Sequence, residues 1–248
     1  MAWLVLIAAG FAAGIINSIA GGGSFLTFPA LVFGGLPAVA ANASSTVALV
    51  PASLSSSYAL RRDIQQLQER RLKAWFFISL LGGLIGASLL LVTSDRTFRL
   101  IAPWLLLFAT VVFAFGRRIS DVLRGRLHGN QLSMLCLLFP IAVYGGYFGG
   151  GIGIMILAAF RLYGITDIHA MNGLKTLLGA TLNGIAAIIF IVAHQVWWVQ
   201  TLAMMAAGIV GGFAGPALAR RLSQNVIRAI VIIVGMLMTL WFFHQRPV

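Results

Sequence analysis

Asn42, Ser45 and Thr46 are spaced i, i+3, i+4, and Asn172, Lys175 and Thr176 repeat that spacing 130 residues later. On an α-helix such residues share one face. Ser53 and Asn183 follow at i+11 in their own copies, about three turns further along the same face. Amides, hydroxyls and one ammonium make a donor-rich wall suited to an oxyanion. The same residue types also act as hydrogen-bonding glue between membrane helices, and for any single one of them both readings stand. Lys175 is the most informative of the set. It is one of two lysines and lies in the first third of an apolar span. A charge buried there costs at least roughly 2.5–3.5 kcal/mol. Either Lys175 faces a substrate, or its stem runs along the helix and carries the head to the interface.

Each stripe sits on a long helix that follows the same parts in the same order. The first copy runs Ile19-Ala20-Gly21-Gly22-Gly23-Ser24, an apolar decapeptide, then Gly35-Leu36-Pro37. The second runs Tyr147-Phe148-Gly149-Gly150-Gly151-Ile152, another apolar decapeptide, then Gly164-Ile165-Thr166. Paired Gly-interrupted apolar segments in two halves are the pattern of a secondary transporter. Gly21–Gly23 and Gly149–Gly151 break the helix at membrane depth, where glycine tolerates positive φ and close backbone approach. New helices start at Ser24 and Ile152, and their free N–H groups favour an anion. Close helix packing is the alternative role for these glycines.

Composition sets the environment. The 248 residues are 60% hydrophobic and 9% charged, with a mean hydropathy of +0.99. A soluble domain carries about a quarter charged residues, so the chain is expected to be an all-α polytopic membrane protein. The net charge of +12 gathers in three short loops. They hold Arg61, Arg62, Arg70, Arg71 and Lys73; Arg117, Arg118, Arg124 and Arg126; and Arg220, Arg221 and Arg228. Flanking apolar spans, these mark the cytoplasmic side rather than a nucleic-acid surface. The five acids, Asp63, Glu69, Asp95, Asp121 and Asp167, all avoid the middle of a span. A cation or proton antiporter needs an embedded carboxylate, so the pattern favours an anion. Cys136 is the single cysteine and excludes an intramolecular disulfide. No Cys/His spacing suggests a metal, and no cofactor is expected. Residues 1–20 lack a basic n-region and pair with 131–148, so they are expected to belong to the fold rather than to a cleaved leader.

Apolar stretches fall at about 2–19, 24–34, 38–60, 73–93, 99–116, 131–148, 152–162, 168–193, 197–218 and 225–243. A full span needs roughly 20 residues, so 24–34 and 152–162 read as half-helices. With all three basic loops in the cytoplasm, each half makes an odd number of crossings. Two inverted repeats follow, each with a Gly-interrupted short half-helix and three further spans. The expected division is a first repeat at 1–116, a basic cytoplasmic linker at 117–130 and a second repeat at 131–248. Both termini then face outside. Residues 2–34 and 131–162 form either re-entrant hairpins or full crossings.

Four segments carry a family resemblance. They are Ala20-Gly21-Gly22-Gly23-Ser24-Phe25-Leu26-Thr27-Phe28-Pro29-Ala30-Leu31, Ala41-Asn42-Ala43-Ser44-Ser45-Thr46-Val47-Ala48-Leu49, Tyr144-Gly145-Gly146-Tyr147-Phe148-Gly149-Gly150-Gly151-Ile152-Gly153 and Asp167-Ile168-His169-Ala170-Met171-Asn172-Gly173-Leu174-Lys175. The chain resembles the sulfite exporter TauE/SafE family of membrane permeases over nearly its whole length. Where that family reads Asn-Ala-Leu-Lys-Asn, this chain has Asn172-Gly173-Leu174-Lys175-Thr176. The resemblance implies duplicated halves and movement of small sulfur oxyanions and organosulfonates. The expected function is therefore an alternating-access anion permease of the bacterial inner membrane, working in export. Its expected partners are a small anion and the lipid bilayer, with no nucleic acid. Its substrate residues are Gly21, Gly22, Gly23, Ser24, Asn42, Ser45, Thr46, Gly149, Gly150, Gly151, Asn172, Lys175, Thr176 and Asn183. Two alternatives stand beside it. A non-transporting sensor or accessory subunit would explain the fold but not the mirrored polar stripes. An intramembrane hydrolase would pair Ser24 with His169, yet the position matching Ser24 is Ile152.

Overall fold

The computed structural model describes residues 2–61, 72–122, 130–165, 167–219 and 224–244. Arg62, Arg70, Arg71, Arg124, Arg126, Arg220, Arg221, Asp63, Glu69 and Thr166 lie outside the described residues, as do the side chains of Arg117, Asp121, His169 and Arg228. The described residues form ten α-helices and no β-strand. In order these are α1 (Ala2–Ala20), α2 (Ser24–Phe33), α3 (Ala38–Ala59), α4 (Leu72–Val92), α5 (Asp95–Val122), α6 (Gln131–Tyr147), α7 (Ile152–Tyr163), α8 (Ile168–Val192), α9 (Trp198–Ala219) and α10 (Gln224–His244). Five of them, α3, α4, α5, α8 and α9, are long and apolar enough to cross a membrane. The short α2 and α7 correspond to the half-helices expected from the sequence, and α5 extends to Val122, into the stretch read as linker.

Each half opens with a helical hairpin. α2 turns back along α1: a Cβ on Gly23 would stand 2.9 Å from the Ala13 carbonyl oxygen and 3.1 Å from Cβ of Asn17. In the second half a Cβ on Gly145 of α6 would stand 3.1 Å from Cγ2 of Ile152, the first residue of α7. Both short helices end alike. Leu36 N donates to Leu31 O at 3.2 Å beyond Gly35 (φ +89), and Ile165 N donates to Phe160 O at 3.0 Å beyond Gly164 (φ +106). Such closures on a left-handed glycine pair carbonyls that the helix end leaves free.

Packing partners correspond between halves. α1 lies parallel to α9, with Gly10 against Met204, Gly14 against Gly208 and Gly212, and Ser18 against Gly215. Its counterpart α6 lies parallel to α4, with Ala142 against Gly82 and Tyr147 against Gly86. Lipid tails are as apolar as leucine, so small residues that admit backbone contact hold such pairs together. Each hairpin thus packs on the fourth helix of the other half. α9 also runs parallel to α3, since Trp197 N donates to Ser44 Oγ (3.0 Å) near one end and Ser56 Oγ donates to Gly212 O (3.1 Å) near the other. Val39 N donates to Asp95 Oδ1 at 3.0 Å, joining the starts of α3 and α5. α4, which connects the far end of α3 to the start of α5, therefore runs against α3. It follows that α1 points along α3 and α6 points the opposite way.

Aromatic rings seat the short helices. Phe28 of α2 stacks on Phe242 with centroids 5.3 Å apart and meets Phe148 edge-on at 5.7 Å. Phe160 of α7 lies 5.5 Å from Trp75, which also meets Tyr163 edge-on at 5.4 Å. Edge-on and offset rings each add about 0.5–1.5 kcal/mol beyond simple burial.

Candidate functional site at the hairpin tips

The two breaks meet. Gly153 N donates to Gly21 O at 3.3 Å, and a Cβ on Gly21 would fall on the Gly153 backbone. Left-handed backbone appears at Gly21 (φ +72), Gly149 (φ +80) and Gly151 (φ +74). The middle glycines, Gly22 and Gly150, are not left-handed; side chains crowd them instead, Phe113 and Phe25 at Gly22 and Phe148 at Gly150. Positive φ, which the sequence suggested for the triple glycines as a group, thus falls in each copy on the residue just after the preceding helix, Gly21 and Gly149, and in the second copy also on Gly151, before the next helix.

Each polar stripe holds the hairpin tip of the opposite half. Lys175 of α8 donates to the carbonyls of Ser18 (3.0 Å) and Ile19 (3.1 Å) at the end of α1, and to Asn172 Oδ1 at 3.4 Å. Three acceptors match the three donors of an ammonium, and a cation suits a helix C-terminus. Reciprocally, Asn42 Nδ2 of α3 donates to the Tyr147 carbonyl (2.9 Å) at the end of α6. Lys175 is buried, with 2% exposure, so it does not reach an interface. Its partners are dipoles only, and among the described residues no carboxylate forms an ion pair with it.

The rest of the stripe divides. Thr46 and Thr176 bond back to the carbonyls of Asn42 and Asn172 on their own helices. Ser45 pairs with Thr27 of α2 at 2.5 Å, and Ser53 accepts from Asn17 of α1 at 2.7 Å. These hydroxyls act as glue in this conformation. Two atoms stay open: Oδ1 of Asn42 and Oδ1 of Asn183 are buried without a partner. Buried polar atoms are otherwise almost always paired, so an orphan marks where a ligand or water completes the set. Asn183 Oδ1 and Ser24 Oγ converge on Gly149, where a Cβ would stand 3.9 Å and 3.5 Å from them. Rotating the Asn183 amide by half a turn exchanges acceptor for donor.

Asn17, Thr27 and the carbonyls of Ser18, Ile19 and Tyr147 were not singled out by the sequence. Asn17 carried a signal: it lies one turn before the first break, and the position matching it in the second half is Gly145. There the amide sits on the long helix instead, at Asn183 opposite Ser53. Backbone carbonyls carry no signal in residue type.

Residues 6–242 match the sulfite exporter TauE/SafE family. The chain is 30% identical over 239 residues to the "Probable membrane transporter protein" of Haemophilus influenzae, covering 95% of this chain and 92% of that relative. It is 29% identical over 241 residues to "Probable membrane transporter protein YfcA" of Escherichia coli, covering 95% and 87% respectively. With "Probable membrane transporter protein ORF9" of a Sinorhizobium species it shares 29% identity over 234 residues, 93% of this chain and 88% of the relative. Helical hairpins, long apolar helices and a match along almost the entire sequence lead to one conclusion: this chain is a membrane protein belonging to the sulfite exporter TauE/SafE family.

Proposed function

We propose that this transporter moves small sulfur oxyanions or organosulfonates out across the bacterial inner membrane by alternating access. The observation that carries the reading is Lys175, a buried basic side chain held by dipoles and, among the described residues, paired with no carboxylate. A buried charge calls for an opposite charge, and a transported anion supplies it. The family's name, sulfite exporter, supports the substrate class. In this proposal the anion binds at the junction of Gly149, Ser24 and Asn183, beside the helix starts that follow Gly23 and Gly151, with Asn172 and Lys175 nearby.

The hydrogen bonds support a route for the switch. An anion offers the lysine a stronger acceptor than a carbonyl. Its arrival competes with Ser18 and Ile19 for Nζ and loosens the tip of the first hairpin. The second hairpin, held at Tyr147 by Asn42, answers on the opposite side. The opposed directions of α1 and α6 support inverted halves, with the basic loops in the cytoplasm and both termini outside. Purified protein in proteoliposomes should carry radiolabelled sulfite or a short organosulfonate in a saturable manner, measured with and without a pH gradient. Tight binding with no flux would instead make the protein a sensor.

A further inference from the structure

Away from the hairpin tips, the end of α2 borders a cavity of about 310 Å³, lined by Val32, Phe33, Gly35, Leu36, Arg99 and Trp241. Its volume falls at the lower end of the roughly 300–1,000 Å³ usual for small-ligand sites. It lies at the start of α3, the end opposite the basic loop after Ala59. Arg99 is fixed there by Asp95, whose Oδ2 accepts from Arg99 Nε at 2.7 Å while its Oδ1 accepts from Val39 N at 3.0 Å. The carboxylate thus takes the Nε edge of the guanidinium. The two terminal nitrogens, Nη1 and Nη2, have no protein partner among the described residues. Such a fork matches two oxygens of a sulfonate or phosphate. In the same lining, the Trp241 ring lies against Phe33 with centroids 4.0 Å apart, an apolar wall for the organic part of the same ligand.

We infer that Arg99 and Trp241 form a separate binding site for an oxyanion group carried on an organic body. A soluble organosulfonate and a phospholipid headgroup offer the same chemistry. The site stands on its own residues, so its test reads binding and not flux.

The test uses the full chain in phosphatidylcholine nanodiscs, as parent, Arg99→Gln, Trp241→Leu and Lys175→Met. Hexanesulfonate binding is followed by calorimetry, and phospholipid retention by native mass spectrometry. Asp95 and Arg99 form an exposed pair, which contributes little to stability, so Arg99→Gln should melt with the parent. The parent should bind hexanesulfonate at two sites; one becomes about tenfold weaker in Arg99→Gln and weaker in Trp241→Leu, and that same site remains in Lys175→Met while the hairpin-tip site weakens. Loss of one retained phospholipid in Arg99→Gln, with sulfonate binding intact, would also support the site and assign it to a headgroup. If Arg99→Gln matches the parent in both sulfonate affinity and retained lipid, the inference is overturned.

Discussion

Gly149 and Gly164 separate backbone strain from site chemistry. Both are left-handed, at φ +80 and +106. An alanine at either position costs roughly 1–2 kcal/mol in that conformation. At Gly164 the added methyl meets open space, whereas at Gly149 it faces Ser24 Oγ and Asn183 Oδ1. Gly149→Ala and Gly164→Ala should therefore melt at similar temperatures, while anion flux falls only in the first. Equal flux in both would return Gly149 to a packing role. Lys175 gives a second residue-scale prediction. Lys175→Met removes three hydrogen bonds and leaves the Ser18 and Ile19 carbonyls short of a donor. It should cost about 1–3 kcal/mol of stability and weaken anion binding by on the order of 1–3 kcal/mol. Lys175→Arg should recover only part of both, because its planar fork places its donors differently. Thermal melts and equilibrium binding on the two variants check this. The stripe was legible at this scale because Asn42/Asn172 and Ser45/Lys175 recur at one spacing. Which members are tied up was not legible, because Thr46 and Thr176 spend their hydroxyls on their own helices and Ser45 on Thr27.

The helices themselves were largely legible. Nine of the ten apolar stretches match described helices within one residue at each end, and the stretch 99–116 falls inside α5, which runs four residues further at its start and six at its end. Asp167 caps α8 by accepting from Ala170 N at 3.3 Å. How the helices pair was not legible. α1 packs on α9 and α6 on α4 through Gly10, Gly14, Gly82 and Gly86, and glycine in an apolar stretch does not name its partner. The cross-held tips yield a prediction about elements. Asn42→Leu should raise amide exchange at residues 144–151, in the other half's hairpin, because Tyr147 loses its donor. Lys175→Met should raise exchange at residues 16–23 for the corresponding reason. Hydrogen-exchange mass spectrometry resolves both segments. Loosening confined to the mutated helix would remove the reciprocal hold.

For the whole molecule, α2 turns back along α1 and α7 along α6, so each hairpin enters and leaves at one end. Three further helices follow in each half, five of the six long and apolar enough to cross a membrane, and the topology proposed from the basic loops has both termini outside. Labelling tests that topology in a Cys136→Ser background. Gln66→Cys and Val122→Cys should react with impermeant reagent only from the cytoplasm, and Arg246→Cys only from outside. Cytoplasmic labelling at 246 would contradict inverted halves.

Sided flux decides whether the buried lysine serves a transported anion. Proteoliposomes holding the parent or Lys175→Met are loaded with radiolabelled sulfite, a short organosulfonate or a sodium tracer, and efflux is timed. Expected are saturable efflux of at least one sulfur anion by the parent, strong reduction in Lys175→Met, and no carriage of sodium as sole substrate. Sulfur-anion efflux equally fast from both proteins would contradict a site built around the buried lysine.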